Sequence, residues 1–310
     1  MCSSLSNNAL LAFLVLLVAT GCGRNDRVKH DGDRIIVDDL GREVRYSESA
    51  RRIVSLAPSF TEILYALGAD SMLVGITSLC NYPVQKSEHV QVVGDMLTPD
   101  PERILVLEPD LVLISVEGNT QRTFRTLERM GLRIFVSNPR TLEAVLTSIQ
   151  QIAALTGRKE AGTRITDSLR NVVQHVRRVR PKHPPRVLML LSMHPLIAAG
   201  EGSFLDELIR EAGGSNAVSD AVGSYPTLNR EEILLRDPEI LILPDDSGED
   251  AASLRRRFPE WRSLGVLRSG GLHFIEADIL FRPGPRLFRG LEIIHELCLR
   301  ATDAERTVRE

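Results

Sequence analysis

Aromatic residues make up only 5% of the 310-residue chain, with a single tryptophan, Trp261, and cysteines number four. Cys2, Cys22, Cys80 and Cys298 form no C-x-x-C pair, which excludes a zinc ribbon and a thioredoxin-type motif. There is no G-x-S-x-G, Walker loop, H-E-x-x-H or G-x-G-x-x-G, so hydrolase, nucleotide and zinc-protease signatures are missing and no catalytic residue is assigned. The histidines are scattered, with no i, i+4 pair to suggest a metal site. A net charge of −3 gives no basic field for nucleic acid. No apolar run reaches the ~20 residues a membrane-spanning helix needs. What is present is an ordinary globular balance, 43% apolar and 25% charged.

Residues 9–19, ALLAFLVLLVA, form one apolar run of the length of a secretory h-region. Ala19-Thr20-Gly21-Cys22 follows and resembles a bacterial lipobox, in which the cysteine is diacylated after cleavage. Residues 1–21 read as a signal peptide and 22–34 as a polar tether. The protein is then exported and lipid-anchored at Cys22, on the periplasmic face or cell surface. Only Cys80 and Cys298 remain as thiols; they lie in opposite halves of the chain and are read as unpaired.

Beyond a short hairpin at 35–44, a parallel α/β rhythm begins. Strands are expected at 53–56, 73–76, 111–115, 133–137 and 186–191, with helices between them. Ser59-Phe60-Thr61-Glu62 has the spacing of a capping box. Asp100-Pro101 opens a second helix, with a cap residue and then proline at its first position. From 142 to 180 the apolar period is helical without an intervening strand, and the last stretch, 158–180, could span about 30 Å.

The second half repeats the first. Residues 102–114 align without a gap on 231–243, at a constant offset of 129. Ser59-Phe60-x-acidic-x-Leu64 likewise matches Ser203-Phe204-x-acidic-x-Leu208. A duplicated unit explains an ungapped run better than chance likeness of helix–loop–strand units. The fold class is therefore α/β: two doubly wound parallel-sheet lobes, 35–157 and 181–306, bridged by a long rigid helix at 158–180. Ligands of such sheets sit at the carboxyl ends of the strands, which places a cleft between the lobes.

Several segments are similar to the periplasmic cobalamin and ferric-siderophore binding proteins of ABC importers. They are residues 52–68, Val74-Gly75, residues 77–83, 102–115 and 212–216, and Arg282-Pro283-Gly284-Pro285-Arg286. The resemblance implies that 52–306 form one binding unit with little closure. It implies a monomeric receptor with no resident cofactor, whose partners are an ABC permease and ATPase complex and a corrinoid or iron-chelate ligand. Tyr82, Met96, Tyr225, Asp278 and Arg282 are the expected ligand-binding residues. Glu102 and Glu231, one per lobe, are expected to dock the permease. Leu79, Met96, Ser115 and Leu191 stand where the family's cobalamin binders carry aromatics. An apolar floor with few polar anchors still suits a corrinoid. A ferric siderophore or haem stays open as the alternative, with His194 as a weak candidate for a metal ligand; a metal-cluster enzyme would need more cysteines.

Overall fold

A computed structural model describes residues 34–84 and 90–309, with side chains to 302. The segments expected as signal peptide and tether, with Cys22, lie outside the described residues up to position 33; Arg34, expected to end the tether, instead opens the first strand. Strands β1 (Arg34–Val37) and β2 (Glu43–Tyr46) form an antiparallel hairpin. Its turn is tied by Asp38, whose carboxylate accepts from the Leu40 and Arg42 backbone N–H groups at 3.0 Å each.

The N-terminal sheet is wholly parallel. It takes β3 (Ile53–Ser55), β4 (Leu73–Ile76), β5 (Gln91–Val92), β6 (Leu111–Ser115) and β7 (Ile134–Ser137) in the order β5-β4-β3-β6-β7. Alternate residues divide between its faces, as a two-residue period dictates. Ile53, Leu111, Leu113 and Phe135 enter one core cluster, and Val54, Val112, Ile114 and Val136 enter another. The C-terminal sheet is built the same way from β8 (Arg186–Met193), β10 (Ser215–Asn216), β11 (Ile240–Pro244) and β12 (Leu272–Ile275). Its order is β10-β8-β11-β12, with β9 (Leu196–Ala198) folded back antiparallel on β8. Strands β5, β9, β10 and β12 have no counterpart among the expected strands; β5, β9 and β10, of two or three residues, are too short for a periodic signal, and β12 is only half-buried over most of its length.

The two lobes share one core. The cluster that takes Ile53, Leu111 and Leu113 from the first sheet also takes Val187, Met189, Ile240 and Ile242 from the second. Between them stand the helices Leu142–Leu155 and Lys159–Arg178. Gly162 lets this pair approach closely, since a Cβ there would meet Ala153 Cβ at 2.5 Å. The longer helix is fixed to the second lobe by charge. Arg177 donates two bonds to Glu211, at 2.8 and 2.9 Å, and holds that carboxyl below the usual glutamate range. Arg180 donates to the Arg210 and Glu211 carbonyls at the end of the helix Phe204–Glu211. A helix bridge seated in a continuous core offers no strand hinge.

The repeat is visible in backbone detail. The helix Pro101–Val106 leads into β6 as the helix Arg230–Arg236 leads into β11. Glu108 (φ 45°) and Asp237 (φ 38°), 129 apart, are the non-glycine residues with positive φ among those described. Each precedes a proline, so one left-handed turn ends the helix in both lobes.

The expected capping box at Ser59 does not form. Pro58 takes the first helical position, the helix Pro58–Ala66 starts after Ala57, and no side chain caps it. Ser59 therefore lies inside the first turn, while the equivalent Ser203 caps its helix through the Asp206 N–H at 3.1 Å. Glu62, freed from the box, has another task. Cys80 and Cys298 are buried free thiols, and burial pushes Cys298 up to about 12. Among the described residues no helix is long and apolar enough to cross a membrane.

Candidate functional site

The parallel strands of each sheet end at the gap between the lobes, and the loops that follow them form its rim. A cavity of about 490 Å³ opens there. Val116, Glu117 and Arg140 line it from the first lobe, and Leu191, Phe204, Tyr225 and Phe281 from the second. Its walls are thus apolar, with one polar group of three residues. Tyr225 Oη donates to Glu117 Oε1 at 3.4 Å, and Arg140 Nη1 reaches the same oxygen at 2.9 Å. Burial and the Glu117 charge push the Tyr225 phenol up to about 12, so it stays a neutral donor at physiological pH. Glu117 and Arg140 follow the carboxyl ends of β6 and β7, so the strand-end rule alone finds them; no motif marks either.

A second cluster joins the lobes beside this cavity. The Glu62 side chain, 2% exposed, accepts from Arg282 Nη1 at 3.0 Å and from Arg286 Nε and Nη2 at 2.9 and 2.7 Å. Arg282 also donates to Asn81 Oδ1 and the Leu79 carbonyl, and pairs with Asp278 at 2.6 Å. Asn81 closes the ring by donating to Asp278 at 3.1 Å. Arg286 lies over the Tyr82 ring, 4.0 Å from its centroid. The structure therefore brings Tyr82, Asp278 and Arg282 together through Asn81 and Arg286. It also pairs the two charges with each other and with the opposite lobe, so Arg282 is an interlobe strut with its side chain 11% exposed. An acid and an arginine four residues apart are the sequence signal for that pairing.

Met96 lies across the cleft loop 115–119, close against Gly118, where a Cβ would meet its sulfur at 2.6 Å. Asn119, 8% exposed, holds this corner. Its amide donates to the Leu56 and Met96 carbonyls at 3.0 and 2.6 Å, and its carbonyl oxygen accepts from Ser115 N–H at 2.9 Å. Three rim loops are thus set by one asparagine that the sequence does not single out. Leu79, Tyr82, Leu97 and Val116 leave apolar surface exposed along the rim.

Glu102 and Glu231 are exposed in the first turns of their helices, and neither has an ion-pair partner among the described residues. His194 is exposed, and its Nε2 faces Arg257 Nη1 at 3.1 Å. A guanidinium against that ring nitrogen opposes a second cation there. Among the described residues no three His, Cys, Asp or Glu side chains gather as metal ligands.

Residues 53–276 match the model of the periplasmic binding protein family. A vitamin B12-binding protein of Vibrio cholerae is 29% identical over 251 residues, which cover 80% of this chain and 88% of that protein. The crystal structure of the periplasmic vitamin B12 binding protein BtuF of Vibrio cholerae matches with a TM-score of 0.73 at 28% identity, over 81% of this chain and 98% of that one. The periplasmic heme-binding protein RhuT from Roseiflexus sp. RS-1, in its apo form, also gives 0.73, at 26% identity and over 82% and 100% of the two chains.

Proposed function

We propose that this chain, which belongs to the periplasmic binding protein family, is the receptor of an ABC importer and captures cobalamin or a related corrinoid between its lobes. The observation that carries the ligand class is the interlobe cavity, apolar except for Tyr225, Glu117 and Arg140. A corrinoid has broad apolar faces and a rim of amides. Apolar walls take its faces, and a phenol, a carboxylate and a guanidinium supply the donors and acceptors that amides require. At about 490 Å³ the cavity would grip an edge, leaving the rest among the exposed apolar side chains of the rim. The Vibrio cholerae relatives named for vitamin B12 support the same class.

Haem is the second reading. The Roseiflexus relative favours it, and Tyr82, 43% exposed on the rim, is a residue type that can ligate haem iron. A melting panel separates the two. Cyanocobalamin at 100 times its dissociation constant should stabilise the chain by about 2.7 kcal/mol, while haemin and a ferric hydroxamate give no shift. A shift with haemin alone would transfer the assignment to haem.

Export with acylation at Cys22 would hold the receptor at a membrane surface, two or three acyl chains being enough for stable anchoring. Labelled palmitate should enter the wild type and not Cys22→Ser; equal labelling of both would refute the anchor. Glu102 and Glu231 would meet cations of the permease, one per lobe, fixing the receptor's orientation over the translocation path.

A further inference from the structure

We propose that Val106 and Leu235, the apolar residues one helical turn beyond the two rim glutamates, form part of the surface that seats the permease. The proposal rests on the docking role of Glu102 and Glu231, and adds an uncharged contact on each lobe. Val106 is 78% exposed and Leu235 86%. They occupy the same place in the internal repeat, 129 positions apart, as the two glutamates do. Each lies four residues after its glutamate in the same helix, so carboxylate and aliphatic group share one face about 6 Å apart along the axis.

The buried side of each helix is equally matched. Ile104 and Ile233, again 129 apart, are both fully buried. Two residues later the helix has turned by about 200°, so Val106 and Leu235 are directed away from their own cores. A lone exposed aliphatic residue needs no explanation. Two at equivalent positions, each on the face of an unpaired carboxylate, form a repeated element of the surface. The chain's own neighbouring cations already have partners: Arg103 pairs with Asp100 at 3.2 Å, and Arg230 pairs with Glu260 at 3.6 Å and lies over the Phe258 ring.

The occupant this surface fits is a permease loop that presents a basic side chain beside an apolar one. An exposed ion pair alone holds weakly, because water and salt screen it. Apolar contact around the pair excludes water and strengthens it, the arrangement found at the energetic centres of protein interfaces.

The test measures binding of the full-length receptor to the permease–ATPase complex held in nanodiscs. The double variant V106S/L235S should bind that complex on the order of tenfold to a hundredfold more weakly, since two buried aliphatic contacts are lost. Its affinity for cyanocobalamin, its melting temperature and the salt dependence of docking should match wild type. The parallel variant E102K/E231K should lose docking and its salt dependence. Wild-type docking by V106S/L235S with loss of docking by E102K/E231K would overturn the apolar contact and leave the glutamate role standing. Wild-type docking by both would overturn both. A lowered melting temperature in V106S/L235S would mean that the residues pack inside the receptor, and would also overturn the proposal.

Discussion

Glu62→Ala is expected to cost about 3–5 kcal/mol of stability, the usual loss when one partner of a buried ion pair is removed. Glu62 is the carboxylate on which two arginines of the opposite lobe converge, and its side chain is 2% exposed. Without it, Arg282 and Arg286, 11% and 17% exposed, lose the acceptor they share. Arg282 keeps Asp278 and Asn81, and Arg286 keeps Glu276, so the loss should fall toward the lower end of that range. Glu62→Gln keeps the shape and an acceptor oxygen but gives up the charge, and should cost about 1.5–3 kcal/mol. Because Arg286 lies over Tyr82 and Arg282 holds the Leu79 carbonyl, the loop 77–83 should loosen and ligand affinity fall with stability. Urea unfolding at constant m-value checks the first effect. A Glu62→Ala variant within about 0.5 kcal/mol of wild type, the range of ordinary surface substitutions, would mean that the interlobe strut carries no stability.

The order of elements is legible in the sequence wherever burial imposes a period. Strands buried on both faces read as continuous apolar runs, and the helices between them as 3.6-residue repeats; the helix Lys159–Arg178 lies within the stretch its apolar period marks. The 129-residue repeat is legible too, down to the left-handed residues Glu108 and Asp237, because both helix ends need the same turn before a proline. The failures share one cause. A capping box at Ser59 is a local pattern, and local patterns yield when a residue outside them decides the register. Pro58 moves the helix start, and Glu62 is taken by Arg282 and Arg286, more than 200 positions away in sequence. Asn119, Glu117 and Arg140 are similar. Their roles come from loops that meet only in three dimensions, and only the rule that strand ends form the rim points toward them. Asp278 and Arg282 look like free anchors when each is read singly. As an i, i+4 pair of opposite charge they are already each other's partners.

Tyr225→Ala is expected to weaken cyanocobalamin binding by about 1–3 kcal/mol, or roughly 5- to 150-fold. The residue supplies both an aromatic wall of the cavity and a hydroxyl held toward Glu117. Removing the ring opens the wall and leaves the Glu117–Arg140 pair without its third member. Tyr225→Phe isolates the hydroxyl and should cost about 1 kcal/mol. Since the phenol's pKa is pushed up to about 12, the affinity difference between wild type and Tyr225→Phe should stay constant from about pH 6 to about pH 9, where the hydroxyl keeps its proton throughout.

Calorimetric titration of the purified chain with cyanocobalamin, wild type beside Tyr225→Ala, tests the central claim most directly. The predicted result is one corrinoid per chain, micromolar or tighter, with a negative heat-capacity change from apolar burial and the stated weakening in the variant. No binding to wild type, or equal binding by both proteins, would contradict a corrinoid site in the cleft between the lobes.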